Sequence, residues 1–243
     1  MDIYQFFILQ FIGHLFADFI FQSDSWARHK RRYGFASGIL YWHIIIVLAI
    51  SYLFSFQVKF IFSSVLIMFV HFIVDGFKVK IGEIKIGSTK PFQNLTFFID
   101  QFLHLVTIWL AVALYTKYYS IDPILTIPIS KHYLIIILGY LLCLKPTNIL
   151  IRQIFSIYSI KVKKQPEEDL LNAGKLIGNI ERVLTLTLVL IGQYEAIGFI
   201  IAGKSILRYE GVKTSKTEYV LIGTLLSFGI AILVGLTILK FKI

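Results

Sequence analysis

The feature that most constrains this chain is a series of seven apolar runs in 243 residues. Each is close to the ~20 residues that carry an α-helix across a hydrocarbon core at 1.5 Å per residue. The runs are Ile3 to Gln22, Ile39 to Phe56, Phe60 to Phe77, Leu95 to Tyr115, His132 to Ile151, Lys175 to Ala202 and Tyr219 to Leu239. Lipid offers no water to satisfy the backbone, so such runs fold as helices that bond internally. The expected fold is therefore all-α, a polytopic transmembrane helical bundle of about seven spans. Composition agrees: 57% of residues are apolar and 16% charged, against about half and a quarter in soluble domains. A soluble enzyme with one large core, a disordered chain and a disulfide scaffold are all excluded. The lone cysteine, Cys143, permits no intramolecular disulfide and no zinc-finger or redox spacing.

Charge sets the expected orientation. The net +10 comes from 24 basic and 14 acidic residues. No basic stripe is interleaved with exposed aromatics, as stacking on a nucleic-acid strand would need, so no nucleic-acid partner is expected. The basic residues instead concentrate in alternate loops: Arg28, Lys30, Arg31 and Arg32 in Ser23 to Gly38; Lys78, Lys80, Lys85 and Lys90 in Lys78 to Asn94; Lys161, Lys163 and Lys164 in Lys161 to Gly174. The facing loops carry only Lys59, or Lys117 and Lys131 with Asp122. Because basic loops stay cytoplasmic, the amino terminus is expected outside and the carboxyl terminus inside. One stretch disagrees: Lys204, Arg208, Lys213 and Lys216 would face outward, partly balanced by Glu210 and Glu218. The first run lacks a basic leader and a following cleavage site, and reads as a retained helix rather than a signal peptide. Lys145-Pro146 interrupts the fifth run, which reads as a kinked span or a short span followed by an interfacial helix from Thr147 to Ile160. The chain divides into a four-helix membrane unit over 1–116 and a second part over 117–243, holding the kinked span, a polar loop at 161–174 and two further spans.

Ionisable groups inside apolar spans are costly and usually face the bundle interior. The first span carries His14, Asp18 and Gln22 at i, i+4, i+8; the third carries His71 and Asp75, with Lys78 beyond; the fourth carries Asp100, Gln101 and His104; the second carries His43. Residues four apart share a helix face. The order reverses in the fourth span, and that reversal is informative. A helix running the opposite way must invert its motif to present the same layers. Counted from the inner end of each span, Asp18, Asp75 and Asp100 lie roughly 3 to 8 Å deep, and His14, His71 and His104 about 9 to 13 Å deep, with His43 near the aspartates. Four helices thus bring seven ionisable groups to one membrane face.

Imidazole and carboxylate are the usual ligands for zinc, manganese and iron, and helical bundles build metal sites from them at this spacing. His14, Asp18, His43, His71, Asp75, Asp100 and His104 are the candidate ligands, for one metal or for two sharing a carboxylate. Asp18, Asp75 and Asp100 are the candidate catalytic carboxylates. Such a centre activates water and neutralises phosphate oxygens. At headgroup depth the expected activity is a metal-dependent membrane hydrolase on a lipid-linked or phosphate-bearing substrate, with the bilayer as partner. The same residues suit a proton- or cation-coupled transporter. A non-catalytic scaffold would use them only as paired groups, Asp75 with Lys78 and Asp18 with Gln22. A haem held by two histidines would leave the aspartates unexplained.

The motifs GHLFADFIFQSD from Gly13, HFIVDGFK from His71 and DQFLH from Asp100, with His43 between them, resemble a bacterial integral-membrane family of unknown function (DUF3307). The resemblance covers about the first 115 residues. It implies a multi-pass protein of the bacterial cytoplasmic (inner) membrane and supplies no activity. The His-x-x-x-Asp pattern alone is also similar to membrane-bound metal-dependent hydrolases. In the second part, Gly174 to Phe228 resembles the carboxyl-terminal extension of longer members of the same family. There Arg182 is expected to snorkel, Glu181 is a further candidate acid ligand, and Glu195 is expected to pair with Lys204 or Arg208. Gly174, Gly178, Gly192, Gly198 and Gly203 would permit close helix packing. No Gly-rich phosphate loop, His-Glu-x-x-His or Gly-x-Ser-x-Gly occurs.

Overall fold

The computed structural model describes residues 1–83, 90–124, 129–158, 173–209 and 214–241. Lys85, Lys161, Lys163, Lys164, Glu210 and Lys213 lie outside them. Ten α-helices and no strands occur among the described residues. Two compact units emerge, Met1–Leu138 and Gly139–Ile243.

The first unit begins with α1 (Ile3–Leu15), started by a reciprocal cap in which Gln5 N–H donates to Asp2 Oδ1 at 2.7 Å and Asp2 N–H to Gln5 Oε1 at 2.8 Å. α1 continues as a π-helical turn over Phe16–Phe21. The basic segment expected as a loop is instead helical: α2 (Asp24–Tyr33) is capped by Ser23 Oγ, which accepts from Trp26 N–H at 3.2 Å, and stops at Gly34, whose φ is 52°. α3 (Gly38–Ser55), α4 (Ile61–Glu83) and α5 (Lys90–Tyr118) complete the unit's bundle. Phe6, Phe60, Ala111, Val112 and Tyr115 are almost fully buried at one end of it. There the Gln57 carboxamide oxygen accepts from Tyr115 Oη at 3.2 Å and Asp122 N–H at 3.0 Å. Large apolar side chains, among them Phe62, Phe69, Phe102 and Leu110, face outward. Apolar outside and polar within is the arrangement that suits lipid.

α6 (Lys131–Cys143) and α7 (Lys145–Ile157) are bent by 44° at Leu144. Pro146 has no N–H to continue the ladder, and Thr147 Oγ1 donates to the Leu142 carbonyl at 2.6 Å instead. α8 (Ala173–Leu190), α9 (Tyr194–Tyr209) and α10 (Thr214–Lys240) follow.

The run from Lys175 to Ala202 is not one span. It breaks at Gly192, whose φ is +77°, while Gln193 N–H bonds back to the Leu188 carbonyl at 2.9 Å. Glycine takes this left-handed conformation without the penalty a Cβ incurs, and helices commonly end on it. Lys204 then pairs with Glu181. One continuous helix would hold these two about 35 Å apart, so α8 and α9 form an antiparallel hairpin. Five helices are long and apolar enough to cross a membrane: Ile3–Phe21, Gly38–Ser55, Val58–Lys78, Leu95–Tyr118 and Glu218–Lys240. The bent α6–α7 pair makes up to six among the described residues, so the expected count of about seven is not confirmed.

The glycines also sort differently from expectation. A Cβ on Gly174, Gly198 or Gly203 would touch nothing within 4 Å, and at Gly178 it would meet only Arg182 of its own helix. Close approach occurs at Gly139 and Gly235, where a Cβ would come within 2.5 Å of Ile238 Cδ1 and Val189 Cγ1 respectively.

Candidate functional site

The four-helix unit brings all seven of the singled-out side chains together. His14 comes from α1, Asp18 from the π turn, His43 from α3, His71 and Asp75 from α4, and Asp100 and His104 from α5. His43, His71 and His104 are buried to 2% exposure or less. The helix-face argument accounts for the convergence: each pair four residues apart is an i, i+4 stack, and the inverted order on α5 matches its direction.

Four donor atoms form the centre. His43 Nε2 and His71 Nε2 are 3.1 Å apart. Asp18 Oδ1 lies 3.5 Å from His43 Nε2 and 3.4 Å from His71 Nε2; Asp75 Oδ2 lies 3.6 and 3.7 Å from the same two atoms. Charge-assisted hydrogen bonds between imidazole and carboxylate would be about 2.7–2.9 Å, and the carboxylate contacts here are longer. A tetrahedral ion with donors about 2.0–2.2 Å away sets them about 3.3–3.6 Å apart, which the observed separations bracket. Asp18 Oδ1 is buried with no hydrogen-bond partner, and His14 Nδ1 stands 3.8 Å from it. His14 Nε2 contacts Gln101 Oε1 at 3.3 Å.

Beside this group, His104 stacks on His71 with ring centroids 3.8 Å apart and planes 7° from parallel. Its Nε2 lies 3.5 Å from Asp100 Oδ1. Asp100 Oδ2 accepts from Lys78 Nζ at 2.8 Å and Gln101 Nε2 at 3.1 Å. Asp75 pairs with Lys30 of α2, not with Lys78 as the paired-group reading expected. In the low dielectric of the site, each ammonium offsets part of the cost of its carboxylate.

Two buried or half-buried polar side chains were not singled out from the pattern. Gln10 extends the four-residue series on α1 by one turn, so its signal was present. Its carboxamide is nearly fully buried, donates to the Ser51 carbonyl at 2.9 Å and accepts from Ser51 Oγ at 2.8 Å. Lys30 stood among four basic residues of a presumed loop, and nothing in periodicity distinguished it from Arg28, Arg31 or Arg32. Only the docking of α2 turns it inward.

Among its described residues the second unit holds a deeply buried charge, Arg182. Arg182 does not snorkel; it is 1% exposed. Its guanidinium donates to the carbonyls of Cys143 and Leu144, to Oδ1 of Asn148 and Asn179, and to Ser227 Oγ. The first two acceptors lie at the α6–α7 bend, where the Leu144 carbonyl also accepts from Asn148 N–H at 3.3 Å. Glu181, the further candidate ligand, pairs with Lys204; the side chain of Arg208, the other partner expected for Glu195, lies outside the described residues.

A family model described as "Protein of unknown function (DUF3307)" matches residues 6–133. The chain belongs to that family. The matched segment contains all seven clustered residues together with Lys30, Lys78 and Gln101. Comparison with curated proteins finds no match, and comparison with solved structures finds none.

Proposed function

We propose that this DUF3307 protein is a bacterial cytoplasmic-membrane protein whose four-helix unit binds a divalent metal and hydrolyses a lipid-linked or phosphate-bearing substrate. The carrying observation is the convergence of Asp18 Oδ1, His43 Nε2, His71 Nε2 and Asp75 Oδ2 at separations of 3.1–3.7 Å. Two imidazoles and two carboxylates suit zinc, manganese or iron. A bound ion would supply Lewis acidity toward a phosphoryl oxygen and a more acidic water. The chain's own groups do the rest. His14, steadied by Gln101, and the Asp100–His104 pair are placed to accept or pass a proton. Lys30 and Lys78 bring positive charge to the edge of the site, and Arg28 and Arg32 are exposed on the helix that carries Lys30. Anionic headgroups are attracted to such a surface.

A second reading, a cation- or proton-coupled transporter, is favoured by one observation: the first span departs from α-helix at Asp18. Discontinuous helices hold coupling ions in many transporters, and π turns mark functional sites.

The test is elemental analysis of detergent-purified protein prepared without chelator or tag metal, with Asp18→Asn and His43→Ala alongside. Phosphate release from phosphatidic acid and from a polyprenyl diphosphate in mixed micelles is followed in parallel. The hydrolase reading expects near-stoichiometric metal and turnover, both lost in the variants. Metal with no turnover, but with gradient-dependent flux in proteoliposomes, would favour the transporter. Folded protein that binds no metal leaves the cluster as an internal scaffold.

A further inference from the structure

We infer that the unit holds a second divalent cation between Asp75, Asp100 and His104, with Asp75 shared between the two ions. The inference rests on the metal reading above and narrows its substrate to phosphate esters and diphosphates.

Each of these three residues offers one donor atom, and the three atoms lie within 4.8 Å of one another. Asp75 also belongs to the group formed with His43 and His71. A carboxylate common to two donor sets is the bridging ligand of a two-ion centre. Asp100 Oδ1 and His104 Nε2 are buried, have no hydrogen-bond partner, and stand 3.5 Å apart. Buried polar atoms are almost always satisfied, so two unsatisfied ones side by side mark a missing partner. A cation satisfies both at once. A proton placed between them at that distance satisfies neither well.

The surroundings orient these donors as outer-sphere groups orient metal ligands. Lys78 Nζ and Gln101 Nε2 both occupy Asp100 Oδ2, which leaves Oδ1 to the site. The stack of His71 on His104 sets the scale. Their ring centroids are 3.8 Å apart in nearly parallel planes, and two-metal hydrolytic sites hold their ions about 3.5–4 Å apart. An imidazole from each donor set, His71 and His104, thus lies at a separation that fits the expected ion spacing.

The charge balance indicates the ligand. Three carboxylates face two ammonium groups, Lys30 and Lys78. Two divalent ions leave an excess of positive charge at a site buried from water, which a phosphate or diphosphate dianion would offset. A pair of ions also clamps the attacking and leaving oxygens of an in-line displacement. In this arrangement Asp100 and His104 act as donors, and His14 remains the proton-handling group.

The experiment uses the full chain in detergent, stripped of metal and titrated with Mn²⁺ alone. Bound ions are counted after gel filtration, and electron paramagnetic resonance reports whether they are coupled. Wild type is expected to bind two Mn²⁺ with a spin-coupled spectrum. Asp100→Asn and His104→Gln are each expected to bind one, with the six-line spectrum of an isolated ion. The remaining ion shows that the variants are folded. One ion in wild type, unchanged in both variants, would overturn the second site and leave the first intact. No ion in wild type would overturn both. Loss of both ions in variants with wild-type helicity and elution would overturn the assignment of Asp100 and His104 to a separate ion.

Discussion

Lys30 Nζ rests on Asp75 Oδ2, with the two side chains only 12% and 10% exposed. The same oxygen stands among the donors of the proposed first ion, so ammonium and metal compensate one carboxylate. Lys30→Met should therefore lower the stability of metal-free protein by about 2 kcal/mol, below the 3–5 kcal/mol of a fully buried pair because both side chains retain some water. Thermal unfolding in detergent, with and without Mn²⁺, checks this: the metal should restore most of the loss, and an equal deficit in both states would separate Lys30 from the site. Arg182 is the comparable residue of the second unit. Arg182→Leu leaves the Cys143 carbonyl and Asn148 Oδ1 without this donor, while the Leu144 carbonyl keeps Asn148 N–H and Asn179 Oδ1 keeps Asn148 Nδ2. At about 1–3 kcal/mol for each of these two stranded groups, a loss of at least about 2 kcal/mol is expected. Arg182→Lys should recover only part of it, because one ammonium cannot reproduce the planar fork.

The helices are shaped by where the backbone departs from regularity. The α8–α9 turn is testable by a cross-link. With Cys143 replaced by Ser, Glu181→Cys and Lys204→Cys together should be joined by a short bifunctional maleimide, since the native side chains reach each other. A continuous helix would hold them too far apart to react, and failure to cross-link would remove the hairpin. Gly192→Val should destabilise the unit by about 1–2 kcal/mol, since a β-branched residue resists a φ of +77°. On α4, Gly76 faces the ring of Phe35, where a Cβ would come within 2.0 Å of Cε1. Phe35 packs edge-on against Phe72 and Phe77. Gly76→Ala should displace it and loosen the Mn²⁺ affinity of the adjoining Asp75, read in the same titration.

At the scale of the molecule, the hairpin changes the parity of the chain. A single span from Lys175 to Ala202 would carry the basic stretch Lys204 to Lys216 to the outer face, against the usual bias of loop charge. A hairpin instead returns Lys204, the start of that stretch, to Glu181 on α8. If the amino terminus is outside, as loop charge predicts, six crossings would place the carboxyl terminus outside too, opposite to the expectation from seven spans. Reporter fusions after Lys240, active either only in the cytoplasm or only outside it, distinguish the two. A cytoplasmic carboxyl terminus would require an odd number of crossings.

The sequence by itself determined the helical class, the long apolar spans of the first unit and the identity of the seven clustered side chains. Those are properties of local pattern: run length, four-residue spacing, and the inversion of that spacing on a helix of opposite direction. Tertiary structure decided which ammonium serves which carboxylate, since Lys30 sits beside Arg28, Arg31 and Arg32, and Lys78 two residues from Lys80, and nothing in the pattern chooses among them. It also decided that Arg182 closes a helix break rather than reaching water, and that Gly192 reverses the chain rather than lining a helix contact. Spacing along one helix is written in the chain. The partner across a bundle depends on how helices dock, and on which backbone groups a bend leaves without a bond.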